Sequence, residues 1–404
     1  MITPSSILGA LFLPAGLFPA GILAAVLQDS PAAAPTSVPT SVPTSVPGPA
    51  PTSIVVMPGD SWDRDGSSLP AGSVVRLAPG IHRPAVWRAV QGTPEAPIVL
   101  RFEASGADGA GGQAGIIVGG EVGLELIDCR HVRVESLVVI GPTVAGIRLR
   151  GGESLSLRSV LLARLGPDVR ADGIDAEGVS DLRVQGVRID GWSDAAIDLR
   201  DVRDADVRQL ELLAMSGRRN GVGIRLAGRL EGVRVEDAVI RGVPVGVELD
   251  GVEAVEDAPS SPSPTPSPSG VVIRDMLLDR PAIGLEIRSP NGVLIERSSM
   301  VDPEIAVRLP DGASPRMVRL VRNLVVWQPS RLRAFGEVAA SARPEGITWG
   351  ESLWWSAELP TALAILGSIP GTLEVPPRHA PDPKIDGRGI PSEPLAAEFG
   401  RPTR

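Results

Sequence analysis

The chain has 404 residues, is 43% apolar and carries a net charge of −9; it is long enough for one large domain or two ordinary ones and lacks the basic excess that a nucleic-acid partner calls for. Cys129 is the only cysteine, which excludes an intrachain disulfide and cysteine-based zinc sites. There is no tyrosine, one lysine (Lys384) and three histidines (His82, His131 and His379), so the list of candidate catalysts is short.

Residues 7–27, ILGALFLPAGLFPAGILAAVL, contain no charge, and three copies of Pro-Thr-Ser-Val follow. We expect residues 1–28 to be an export signal or N-terminal anchor, and residues 29–53 to be a solvated Pro/Thr/Ser linker. The run departs from a usual signal: no Lys or Arg precedes it, and Pro14 and Pro19 would interrupt a spanning helix. The expected location is secreted or at the cell envelope, with membrane contact only through this segment if it is not cleaved.

A repeat follows. AGIRLRG (145–151), DGIDAEG (172–178), AAIDLRD (195–201), VGIRLAG (222–228), VGVELDG (245–251), IGLEIRS (283–289) and IAVRLPD (305–311) share one pattern: small, apolar, polar, apolar, turn. Ile147, Ile174, Ile197, Ile224, Val247, Leu285 and Val307 are separated by 27, 23, 27, 23, 38 and 22 residues. The long step contains a Ser/Pro insert, 258–270, which is expected to be a surface loop. Between the rungs runs a second pattern, apolar-x-apolar-x-x-apolar-x-apolar, as in Leu155, Leu157, Val160 and Leu162. Period-two alternation indicates short strands with one face inward, and the x-x pair a bend. Such a unit cannot bury its apolar face alone, so neighbours must stack. The predicted fold is an all-β parallel β-helix over 54–330, with an irregular closing segment over 331–404.

These rungs resemble the right-handed parallel β-helix superfamily that includes pectate lyases, polygalacturonases and chondroitinase-B-like alginate lyases. The turn Gly92, Thr93, Pro97, Ile98 is similar to the one that leads into the stack in those proteins. The resemblance implies a polysaccharide partner, acidic or neutral, lying along a strand face. It does not specify a chemistry, because one fold hosts many.

The polar position of successive rungs reads Arg148, Asp175, Asp198, Arg225, Glu248, Glu286 and Arg308. Its neighbours alternate inward, so this column is expected to point outward with adjacent members about 4.8 Å apart. Two steps place like charges together, Asp175 over Asp198 and Glu248 over Glu286, which opposes stacking. Two readings stay open. The column is an electrostatic ladder, or its acids bind a sugar, share a proton, or hold calcium between Asp175 and Asp198. No other cofactor is indicated, and a monomer is expected.

Against the motifs of polygalacturonase-like hydrolases the match is partial. Arg170, Ala171, Asp172 and then Ser193, Asp194 retain one acid each, and Gly221, Val222, Gly223 lacks the histidine. The candidate catalytic acids are Asp172, Asp175, Asp194 and Asp198. Candidate substrate-binding residues are Arg148, Arg225, Glu248, Glu286 and Trp192, the last in the turn DGWSD. For a lyase or epimerase, Arg148 or Arg225 could neutralise a uronate carboxylate, whereas an arginine base needs strong perturbation. The reading favoured here is a secreted or displayed β-helix that binds glycan or serves as scaffold. The alternative is a polysaccharide-active enzyme, either lyase, epimerase or glycosidase, working on the charged face.

Overall fold

The computed structural model describes residues 50–102, 115–166, 170–214, 221–253, 270–328 and 330–356, and the backbone of 372–373 and 378–379. The expected export segment, nearly all of the linker and of the Ser/Pro insert, and most of the closing segment lie outside these residues.

The chain is a parallel β-helix. Its strands form one sheet of 22 strands and one of 11. One coil shows how it is built. Ala145–Arg150 is followed by Glu153–Arg158 and Leu161–Ala163, and the next coil sets Asp172–Glu177 directly on Ala145–Arg150. The predicted inward columns are in register: Ile147, Ile174, Ile197 and Ile224 in one, Leu149, Ala176, Leu199 and Leu226 in the other. All are at most 1% exposed.

The corners explain the turn residues. At the bend between the second and third strands of a coil, Ser136, Ser159, Gln209 and Asp237 all have φ between 53° and 57°. This is the left-handed region, which short polar residues tolerate better than branched ones. The small residue opening each rung has a different cause. A Cβ on Gly173 would lie 2.3 Å from the Ala196 carbonyl oxygen and 2.6 Å from Ile189 Cδ1. The rung therefore starts where a large side chain from later in the same coil fills the core.

The stack continues past residue 330. Ala334–Val338 lies on Ile305–Leu309 as the last strand of the smaller sheet, Ile347–Trp349 lies on Arg316–Val321, and Leu353–Ser356 lies on Leu324–Trp327. Gly336, the register partner of Val307, interrupts the apolar column at this end. Aromatic rings fill this end instead: Phe335 contacts Trp327 at 6.2 Å and Trp349 at 5.8 Å, and all three are at most 1% exposed.

Candidate functional site

The charged column is a single register line on the smaller sheet. It also includes a residue at each end that the repeat pattern did not reveal: Glu125 pairs with Arg148, and Glu337 with Arg308. The line therefore runs Glu125, Arg148, Asp175, Asp198, Arg225, Glu248, Glu286, Arg308, Glu337.

The acids point away from the core, as alternation requires, but they do not face open water. Asp175, Asp198 and Glu286 are each 2% exposed and Glu248 is 8% exposed. Arginines cover them. Asp175 is held by Arg148 Nε at 3.3 Å, by Arg150 Nη1 at 2.9 Å and by Arg200 Nη2 at 3.1 Å. Asp198 lies 3.3 Å from Arg200 Nε and 3.2 Å from Arg225 Nη1. Glu248 meets Arg225 Nε and Arg288 Nε, both at 3.1 Å. Glu286 meets Arg288 Nη2 at 2.6 Å and Arg308 Nε at 2.9 Å.

Three of these arginines, Arg150, Arg200 and Arg288, are not in the line. Each sits two residues beyond a line member, on the same strand face. Arg200 and Arg288 do the same work at the two like-charged steps, each spanning both acids of its pair. The expected repulsion between stacked carboxylates is thus offset locally. For the same reason the Asp175–Asp198 pair is not an open carboxylate site for calcium: both side chains already face guanidiniums. Among the described residues no group of three or more His, Cys, Asp and Glu is arranged to hold a metal ion.

The environments of the acids differ in sign. Burial raises the Asp175 pKa, but the hydrogen bond and charge of Arg150, with Arg200 and Arg148, outweigh it and leave the carboxyl below its ordinary value. At Asp198 burial wins over Arg200 and Arg225, and the pKa is raised. Asp172 opens the strand below and is half-buried; its carboxylate accepts a hydrogen bond from the Ala195 backbone N–H at 2.9 Å. Burial, then the charges of Asp198, Asp194 and Asp175, push it up to about 7. Asp194 is in salt-bridge contact with Arg225 Nη2 at 2.9 Å. The fold therefore gathers all four expected catalytic acids, and it sets Asp172 apart as the one poised to carry a proton near neutral pH.

Two expected roles change. Burial lowers the Arg225 pKa, but Asp194 and Glu248 more than reverse this and raise it above the ordinary value. It is thus further from serving as a base, while remaining able to donate hydrogen bonds. Trp192 is 2% exposed, and its indole N–H donates to the Val222 carbonyl at 2.8 Å. It packs in the core and presents no open ring for sugar stacking. Cys129 is fully buried, and burial raises its pKa, as expected of a structural thiol.

No known protein family and no curated protein matches the sequence. Several solved structures share the arrangement of the chain. A GH136 lacto-N-biosidase from Eubacterium ramulus is 12% identical with a TM-score of 0.46, over 77% of this chain and 62% of that one. The PL6 family alginate lyase AlyGC is 12% identical with a TM-score of 0.36, over 87% of this chain and 57% of that one. A PL6 family polysaccharide lyase from Pseudopedobacter saltans is 12% identical with a TM-score of 0.39, over 87% of this chain and 99% of that one. The chain thus spans about three fifths of the length of the first two. The likeness is one of fold alone.

Proposed function

We propose that this is an exported β-helix protein that binds a polysaccharide along the outer face of the smaller sheet. One observation carries the reading: every carboxylate in the nine-residue line is met by a guanidinium within 3.7 Å. Acids engaged in this way are poorly placed to act as nucleophiles or metal ligands. The guanidiniums that cover these acids stay partly exposed and offer N–H donors along the line, which sugar hydroxyl oxygens accept. A continuous register line across nine strands suits an extended polymer better than a compact ligand. Binding would occur outside the cell or at its envelope, consistent with the uncharged N-terminal run. The test is electrophoresis of the purified protein through gels containing neutral or acidic polysaccharides. Retardation by at least one polymer, reduced in Arg148→Gln, supports the reading.

A second reading is favoured by Asp172. A carboxyl titrating near 7 beside an Asp194 paired with arginine resembles the acid and base of a glycoside hydrolase. Release of reducing ends from a polysaccharide panel, abolished in Asp172→Asn, would replace binding by catalysis.

A further inference from the structure

Beyond the paired groups of the charged line, the larger sheet carries a second cluster of polar side chains. A cleft of 230 Å³ lies on the larger sheet, lined by strands 130–135, 153–158 and 180–190 together with the turn at Thr93–Pro97. The turn is held close by Gly92, where a Cβ would lie 2.7 Å from the His131 carbonyl oxygen and 2.9 Å from Pro97 Cα. Any side chain at position 92 would therefore push this wall away.

We propose that this cleft binds the oxyanion group, a carboxylate or a sulfate, of a ligand no larger than one sugar ring. Three observations converge. First, Arg133, Ser156 and Arg183 are register partners on three consecutive strands. A guanidinium-bearing residue thus stands one strand to either side of the serine, at about 4.8 Å per step. Second, the Ser156 hydroxyl is buried and has no hydrogen-bond partner among the described residues. Buried polar groups are nearly always paired, so a hydroxyl that no protein group engages is free to donate to a ligand. Third, the lining is positive: Arg133, Arg158 and Arg183 stand against the single acid Asp181. Arg158 also lines the cleft and makes no ion pair among the described residues, and Arg133 reaches only Glu135, at 3.7 Å. The one acid in the lining, Asp181, is already engaged, accepting from the Ser154 hydroxyl at 2.7 Å and lying 3.3 Å from Arg183 Nη2.

The size limits the ligand. At 230 Å³ the cleft is smaller than the roughly 300–1,000 Å³ of sites for drug-sized molecules. The space suits one ring or a free anion, not a chain segment. An oxyanion placed between Arg133 and Arg183 would accept from both guanidiniums and from Ser156 Oγ, satisfying the orphaned hydroxyl.

The test is calorimetric titration of the full chain with glucuronate, galactose 6-sulfate, inorganic sulfate and galactose. The acidic sugars bind and galactose does not. Arg183→Gln and Ser156→Val each weaken binding about tenfold, the weight of one charge-assisted hydrogen bond, with melting temperature unchanged. Arg148→Gln, on the smaller sheet, leaves this binding intact, which separates the cleft from the charged line. Inorganic sulfate binding as tightly as the sugars assigns the cleft to the anionic group alone; weaker sulfate binding assigns it to the acidic ring. Absence of binding by all three anions at millimolar concentration overturns the proposal. So does binding that neither Arg183→Gln nor Ser156→Val alters.

Discussion

Asp175 and Asp198 are register partners on adjacent strands, both 2% exposed, and the side chain of Arg200 bridges them. Glu248 and Glu286 repeat the device one segment later, with Arg288 as the bridge. In both cases the arginine stands two residues beyond the second acid, so one strand supplies an acid and the cation that lets it stack.

Removing the bridge exposes what it offsets. Arg200→Gln leaves two covered carboxylates with one cation fewer and is expected to destabilise the protein by about 1–3 kcal/mol, the cost of a charged group deprived of a partner. Adding Asp198→Asn restores most of the loss, because the like-charged step is then gone. Thermal melting of the single and double variants checks this; a double variant less stable than Arg200→Gln would contradict it.

The two stacked aspartates are unequal. The Asp175 pKa is lowered and the Asp198 pKa raised, burial being opposed more effectively by arginines at Asp175. Asp175 thus adds stability that is present above its ordinary pKa and lost as pH falls through its lowered value. Asp198 carries the opposite sign: its contribution is full below the ordinary value and is lost as pH rises through the raised one. Asp175→Asn is therefore expected to lower the melting temperature at pH 7 more than Asp198→Asn. Equal losses would show that the arginines do not distinguish them.

Asp172 provides a pH signature. Its pKa in the fold, about 7, lies above the ordinary value of 3.8. A raised carboxyl contributes stability that is full below the ordinary value and is lost as pH rises through 7. Stability measured between pH 4 and 8 should fall more steeply in the wild type than in Asp172→Asn. Carboxyl NMR should show one aspartate titrating near neutrality, and its absence from that region would refute the assignment.

The rung glycines are a packing requirement. Gly173→Ala drives a Cβ against the Ala196 carbonyl and Ile189, and should cost about 1–3 kcal/mol, as overpacking of a filled core does. Ala196→Gly, at the equivalent position of the next rung, relieves no clash and instead loses a buried methyl. A stabilised Gly173→Ala in thermal melting would show that the strands can separate there.

Much of this was legible in the residues. Ile147 and its partners announced the inward column because period two survives every rung. The register of Asp175 over Asp198 followed from the same alignment. The Arg200 bridge did not, although DLR at 198–200 and EIR at 286–288 carry it. Alternation assigns each outward position its own column, whereas an arginine side chain is long enough to cross a strand spacing of about 4.8 Å. Trp192 looked available because it sits in a turn, but the turn folds back over the core. The elevated pKa of Asp172 depends on burial first and then chiefly on Asp198 and Asp194, 26 and 22 residues away, which become neighbours only once coils stack.

The most direct measurement is the affinity of the full chain for polysaccharides in retardation gels, comparing the wild type with Arg148→Gln and Arg308→Gln at opposite ends of the charged line. Polysaccharide binding along the line predicts that at least one extended polymer retards the wild type and that both variants, folded by melting temperature, migrate faster in it. Wild-type migration unaffected by every neutral and acidic polymer, or retardation indifferent to both substitutions, would contradict it.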